Sequence, residues 1–230
     1  MELDNLTDCD LGPTRRRYDD ACAATHAMNI LGDRWAVPVM RELMLGPRRF
    51  GELRAGMPGI SANVLTQRLQ SLQEAGVLRR RKLPPPASVQ VYELTRWGHE
   101  AGPILRAMVR WAVCSPTHDL SLPFSPTSLL LSMRIMLDPV AAGDLCATLA
   151  FRFGEEGYTL RIGGGEAVPE RGPAEDAQAL FTGTTVALAA VLYRGRSLAQ
   201  AEEQGDLTVQ GDRALAQRFV RLFPLPPQAG

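Results

Sequence analysis

A chain of 230 residues with 45% apolar and 22% charged side chains fits one large globular domain or two of about a hundred residues each, and excludes a disordered or fibrous protein. No apolar run reaches the roughly 18 residues of a membrane span, and Met1-Glu2-Leu3-Asp4-Asn5 lacks a signal peptide's pattern, so a cytoplasmic protein without a membrane partner is expected. The net charge of zero hides an asymmetry: Arg34 to Arg110 holds thirteen Lys/Arg against five Asp/Glu, a net +8, whereas Thr127 to Gly230 holds nine against twelve, a net −3. A basic half joined to a mildly acidic one points to a nucleic-acid module carrying something else.

Residues 1–19 are polar, contain Arg15-Arg16-Arg17 and read as a tail ordered from about Tyr18. A first helix is predicted over Ala21–Ile30, ended by Gly32, and a second over Trp35–Leu45, stopped by Gly46-Pro47. Phe50–Ala55 forms a short third helix. Pro58-Gly59 makes a turn, and Ser61 caps a fourth helix that runs to Gly76. On it Ala62, Leu65, Leu69 and Leu72 form one buried stripe. Val77–Leu83 and Val89–Leu94 read as a hairpin whose tip, Pro84-Pro85-Pro86-Ala87-Ser88, cannot pair as strand. Thr95 caps a long helix to about Val113, kinked or divided at Pro103.

Two short helices around a tight turn, followed by a basic hairpin, describe a winged helix-turn-helix over residues 20–114. Removing the leucine stripe leaves Ser61, Asn63, Val64, Gln67, Arg68 and Ser71 outward. Asn and Gln can bond adenine, Arg can bond guanine, and a small apolar group can touch a thymine methyl. A solvated helix face would look the same in isolation. The neighbourhood decides for DNA: Arg48 and Arg49 begin the preceding helix, where phosphate contacts fall. On the first wing strand Arg79 and Arg81 alternate with Arg80 and Lys82, so one pair can face phosphates.

Ser, Pro and Thr mark a linker at 115–126, and 127–226 reads as a second, α+β unit. Its predicted order is helix Thr127–Met136, strands Ala147–Phe153 and Tyr158–Ile162, strands Glu166–Arg171 and Gln178–Thr182, helices Thr184–Tyr193 and Ser197–Gln204, strand Leu207–Val209, and helix Asp212–Leu222. Phe151, Phe153, Leu160, Phe181, Leu188 and Leu192 could line an apolar cavity or simply build a core. This unit holds no His and no nucleophile beside a base, so no catalytic residues and no enzyme are expected. The four cysteines (Cys9, Cys22, Cys114, Cys146) show no metal spacing and read as free thiols. No metal and no cofactor are expected.

Several motifs carry a resemblance. Gly32-Asp33-Arg34-Trp35, Leu45-Gly46-Pro47-Arg48-Arg49-Phe50-Gly51-Glu52-Leu53, Pro58-Gly59-Ile60-Ser61, Leu65-Thr66-Gln67-Arg68-Leu69 and Tyr92-Glu93-Leu94-Thr95 resemble the HxlR-type family of winged-helix bacterial regulators. That resemblance implies a homodimer, built from the domain's first and last helices, on an inverted repeat in double-stranded DNA. It also places Cys22 where some relatives carry a redox sensor, although a small packed residue is the plainer reading. A sensor thiol needs access and a lowered pKa, which a helix N-terminus favours and Asp19 and Asp20 oppose.

In the second unit Phe151-Arg152-Phe153-Gly154, Tyr158–Ile162, Thr182-Gly183-Thr184 and Leu207-Thr208-Val209-Gln210-Gly211-Asp212 are similar to the sterol-carrier-protein-2-like fold. This implies a smaller α/β sandwich able to take an apolar small molecule or fatty acyl ligand. The expected function is a homodimeric DNA-binding regulator, a repressor, reading Asn63, Gln67 and Arg68 against an operator and gated by such a ligand. The alternatives are a redox regulator using Cys22, or a lipid-binding protein whose winged helix serves dimerisation.

Overall fold

The computed structural model describes residues 18–229; the expected tail lies, up to residue 17, outside the described residues. The first half contains α1 (Ala23–Leu31), α2 (Ala36–Leu43), α3 (Phe50–Ala55), α4 (Ala62–Glu74), β1 (Leu78–Lys82), β2 (Gln90–Leu94), α5 (Arg96–Glu100) and α6 (Gly102–Ala112). Ser61 caps α4 by accepting from the Val64 amide, and Gly76 ends it in the left-handed region at φ +73°. Strands β1 and β2 pair antiparallel, Leu78 opposite Leu94 and Lys82 opposite Gln90.

Thr95 closes the hairpin: its amide and hydroxyl donate to the Val77 carbonyl, and the hydroxyl also reaches Gly76. Gly98 must be glycine here. A Cβ would lie 2.1 Å from the Val77 carbonyl oxygen, where α5 crosses the start of the wing. The long helix expected after Thr95 is two helices, α5 and α6, meeting at Ala101, with Pro103 in the first turn of the second. The core of this half is the leucine stripe of α4 with Val39, Met40 and Leu43 of α2, Leu53 of α3 and Leu78 of β1.

The second half contains α7 (Pro126–Met136), α8 (Pro139–Ala142), β3 (Ala147–Phe153), β4 (Glu156–Gly163), β5 (Glu166–Arg171), β6 (Ala179–Gly183), α9 (Thr185–Tyr193), α10 (Leu198–Glu203), β7 (Leu207–Gly211) and α11 (Arg213–Phe219). The sheet order is β5-β4-β3-β6-β7. All neighbours are antiparallel except β3 and β6, which run parallel with Phe151 opposite Phe181. Helices α7, α10 and α11 pack on the sheet, and α9 packs on α7 and α10. The apolar face of the alternating strands lies beneath this helical layer. Arg152 and Arg161 of the other face are exposed, and Asp176 in the β5–β6 connection is bonded there to Arg161 and Thr148.

The six residues that could have lined a cavity are core. Phe151, Phe153, Leu160, Phe181, Leu188 and Leu192 are each no more than 8% exposed. Phe151 stacks on Phe181 at 5.4 Å, and Phe219 of α11 closes on both, at 5.8 and 5.4 Å. Rings this close, in these tilted and offset geometries, fill the space between sheet and helices themselves.

Candidate nucleic-acid interface

The leucine stripe of α4 fixes what the helix shows to solvent. Asn63, Thr66, Gln67 and Gln70 are exposed, spaced i, i+3, i+4, i+7 along one face. Ser61 stands exposed at its N-terminus, and Val64 and Ser71 are half-buried on its flank. Arg68 is not part of the outer face. At about 100° per residue it falls beside Leu65 and Leu72, and its side chain, 13% exposed, is paired with Asp33 at the start of α2. Thr66 and Gln70 stand where Arg68 was expected. Measuring angles from the centre of the leucine stripe, instead of excluding the leucines alone, would have found Gln70 opposite the stripe and Thr66 on the rim of the outer face.

The wing resolves its own alternation. Arg79 and Arg81 share Glu93 of β2, at 2.7 and 2.8 Å. Hydrogen bonding from Arg81 leads in drawing the Glu93 carboxyl below its ordinary range, against burial. These two arginines therefore carry a fixed counter-charge. Arg80 lies on the α4 side, bonded to Gln90, and with Thr66, Gln70 and Tyr92 it borders a cleft of about 460 Å³ between helix and wing. Lys82 alternates onto that side and has no ion-pair partner among the described residues. The pair that sequence alternation leaves open is thus Arg80 and Lys82.

At the start of α3, Arg49 is exposed, its amide donating to Glu52 at 2.8 Å. Arg48 points the opposite way and is 4% exposed. Its guanidinium donates to both oxygens of Glu156, at 2.9 and 3.0 Å, to the Tyr158 hydroxyl at 2.7 Å and to Thr127 at 3.1 Å. The expectation that it contacts phosphate is corrected: a carboxylate on β4, 108 residues away, has taken it. Its backbone meanwhile pairs with Tyr92 of the wing, amide to carbonyl in both directions at 2.9 and 2.8 Å. Further bonds join the halves: Arg171 to the Pro47 carbonyl, Ser125 to the buried Glu42 of α2, and the Ala229 amide to the Cys114 carbonyl at 2.7 Å. Burial alone would raise the Glu156 carboxyl, but the hydrogen bonds from Arg48 and Tyr158 outweigh it and the net shift is downward.

Helix α1 and helix α6 bury none of their residues. Met28, Ile104, Met108 and Trp111 stand between 43% and 82% exposed, an apolar surface left uncovered by the described residues. Cys22 sits immediately before α1, exposed. Hydrogen bonds from the backbone of Thr25 and Ala24, and from the Thr25 side chain, hold its thiol below the usual range. Asp20, expected to oppose a thiolate, spends its carboxylate on the Cys22 amide and the Thr25 hydroxyl. Among the described residues no group of His, Cys, Asp and Glu could hold a metal ion, and no helix is long and apolar enough to cross a membrane.

Residues 30–117 match the HxlR-like helix-turn-helix family, and residues 117–229 match the alkyl sulfatase C-terminal family. An HTH-type transcriptional regulator of Synechocystis sp. is 38% identical over 87 residues, which are 38% of this chain and 64% of that relative, so the chain spans a little under two thirds of its length. The HTH-type transcriptional regulator YodB of Bacillus subtilis is 34% identical over 92 residues, 39% of this chain and 82% of YodB. The reduced form of YodB superposes with a TM-score of 0.39 at 31% identity, covering 43% of this chain and 98% of that one.

Proposed function

The chain belongs to the HxlR-like helix-turn-helix family of transcriptional regulators, and from that premise we propose that it is a homodimeric repressor that reads an inverted-repeat operator in double-stranded DNA. One observation carries this reading. The exposed polar row Asn63, Thr66, Gln67 and Gln70 shares its cleft with Arg80, and Arg49 and Lys82 are further exposed cations of the same half, so base-reading amides stand beside phosphate-binding cations. The uncovered apolar surface of α1 and α6 supports dimerisation through these helices. We assign residues 20–114 to DNA binding, 115–126 to a linker, and 127–226 to a sterol-carrier-protein-2-like domain. The mixed five-stranded sheet under one helical layer supports that last assignment. This domain acts as the sensing half, for an apolar ligand. Arg48, which bonds the wing through its backbone and β4 through its side chain, is the route by which a change in that half reaches the DNA-binding surface. A ligand gates binding only if it prefers one of two arrangements.

Fluorescence anisotropy of the full chain on its own upstream intergenic DNA, at two salt concentrations, tests the reading. Binding is expected to be sequence-selective and to fall steeply with salt. Neutralising about four to six phosphates per dimer costs roughly a hundredfold or more in affinity between 50 and 200 mM salt. Binding that ignores both sequence and salt removes the proposal.

A second reading, of redox response, is favoured by one observation: Cys22 combines exposure with a thiol drawn toward the thiolate. Diamide is then expected to release the wild-type protein from its operator and to leave Cys22→Ser bound. Equal release of both proteins eliminates this reading.

A further inference from the structure

The six candidate residues are buried in the core of the sheet domain, and a cavity of about 910 Å³ lies elsewhere, where α2, α6, the linker and α7 meet. That volume is within the roughly 300–1,000 Å³ of small-molecule sites. Its walls are apolar: Leu105 and Val109 from α6, Val113 just beyond that helix, Leu131 and Ile135 from α7, and Phe124 from the linker. Tyr193 of α9 also borders it, its hydroxyl bonded to Ser132 at 2.7 Å. Burial pushes the Tyr193 phenol far above its ordinary range, so it stays a neutral group bonded to its neighbour.

Basic side chains outnumber acidic ones around this cavity. Arg41, Arg106, Arg134, His99 and His118 border it against the single carboxylate of Asp119. Arg41 is occupied by Glu42, and Asp119 by the Ser121 amide at 2.8 Å. Arg106 and Arg134 are exposed and have no carboxylate partner among the described residues. An apolar trough bordered by two guanidinium groups that have no carboxylate partner among the described residues is complementary to a molecule with an aliphatic body and one anionic head. A second copy of the chain fits less well. Ile104 and Trp111, the apolar side chains of α6 most open to a partner, do not border this cavity and lie roughly a third of a turn round the helix from Leu105, Val109 and Ala112, which do; of the exposed apolar side chains named above, Met108 alone belongs to both surfaces.

We propose that this junction is the effector site, and that its ligand is an anionic amphiphile, a fatty carboxylate or an alkyl sulfate, with its chain between α6 and α7 and its head on Arg106 and Arg134. This rests on the reading that an apolar ligand controls the regulator, and moves the ligand out of the sheet domain's core to the contact between the halves. Because one wall belongs to α6 and the other to α7, occupation alters how the sensing half seats on the DNA-binding half.

The test is displacement of 11-(dansylamino)undecanoic acid from the full-length protein by dodecanoate, dodecyl sulfate and dodecyltrimethylammonium, all below their micellar concentrations. Both anions are expected to displace the probe, and the cation to need at least about ten times more. The double variant Arg106→Ala/Arg134→Ala is expected to weaken dodecanoate by about tenfold or more, and Ile135→Trp, which fills the trough, to abolish uptake. The arginine variant is at the surface, so it remains informative if Ile135→Trp does not fold. No probe uptake overturns the site, as does equal displacement by the cation or an arginine variant that binds like wild type. Uptake that rises on dilution in step with dissociation of a dimer also overturns it, because a second copy then fills the trough. Operator affinity measured on the same samples separates the two claims. Amphiphile bound with operator affinity unchanged keeps the site and removes the gating, and amphiphile bound by a protein that has no operator affinity even before it is added removes the regulator reading alone.

Discussion

Replacing Arg48 by alanine is expected to cost about 2–4 kcal/mol of stability, measured as the loss in urea unfolding free energy. The guanidinium is 5% exposed and makes four hydrogen bonds, two of them to Glu156. Deleting it leaves the Tyr158 and Thr127 hydroxyls and one carboxylate without their shared donor in a largely dry contact. Breaking a fully buried pair costs roughly 3–5 kcal/mol, and the figure here is reduced because Glu156 is 39% exposed and water can reach its oxygens. The companion variant Glu156→Gln gives the pH dependence its sign. The Glu156 carboxyl is depressed in the folded state, so its contribution is present above the unfolded value, near pH 4.3, and is lost as pH falls through the lower folded value. The gap between wild type and Glu156→Gln should therefore be full at pH 7 and close in acid. Arg48→Ala unfolding within about 0.5 kcal/mol of wild type would show that the pair is ornamental and that the two halves are held by their other contacts.

That pair also marks the limit of what the sequence discloses. Local punctuation suffices for α3, β3 and β5, whose bounds are those expected, because Gly-Pro, Gly-Glu-Glu-Gly and Gly-Gly-Gly turns delimit them. Helix α8 leaves no trace in the sequence pattern: one turn started by Asp138-Pro139 is too short to show a period. The division of the helix after Thr95 is legible from Pro103. Arg48 and Arg49 are adjacent and chemically identical, yet one is buried and one exposed. Nothing local distinguishes them, because the difference is made by Glu156 and Tyr158, more than a hundred residues away. Arg68 departs from its expected role for a geometric reason, its flank position on α4, and its partner Asp33 again lies outside that helix. Periodicity cannot sort the aromatic residues of the sheet domain into core or cavity, since both leave the same alternation. Only the closing of Phe219 over Phe151 and Phe181 decides between them. The junction cavity has no linear signature because its walls come from segments far apart in the sequence, from Val37 to Leu225.

The face of α4 predicts how DNA variants divide. Asn63 and Gln67 project from adjacent turns of the exposed face, where each amide can bond an adenine through both its donor and its acceptor. Each such pairing discriminates by about 1–3 kcal/mol, so Asn63→Ala/Gln67→Ala is expected to lose at least about a hundredfold on the operator and little on unrelated DNA. Arg80→Ala touches no base edge in this arrangement. It should weaken all duplexes alike and make the salt dependence shallower by about one charge for each phosphate it no longer neutralises. Arg68→Ala should leave sequence preference intact and lower stability instead, since its guanidinium is spent on Asp33. Competition anisotropy with operator and scrambled duplexes separates these three behaviours in one experiment. If Asn63→Ala/Gln67→Ala loses operator and scrambled DNA equally, α4 holds only backbone and specificity must come from DNA shape. If Arg68→Ala alone erases the preference, the Asp33 pair opens on DNA and Arg68 turns outward after all, which would make the start of α2 part of the recognition surface.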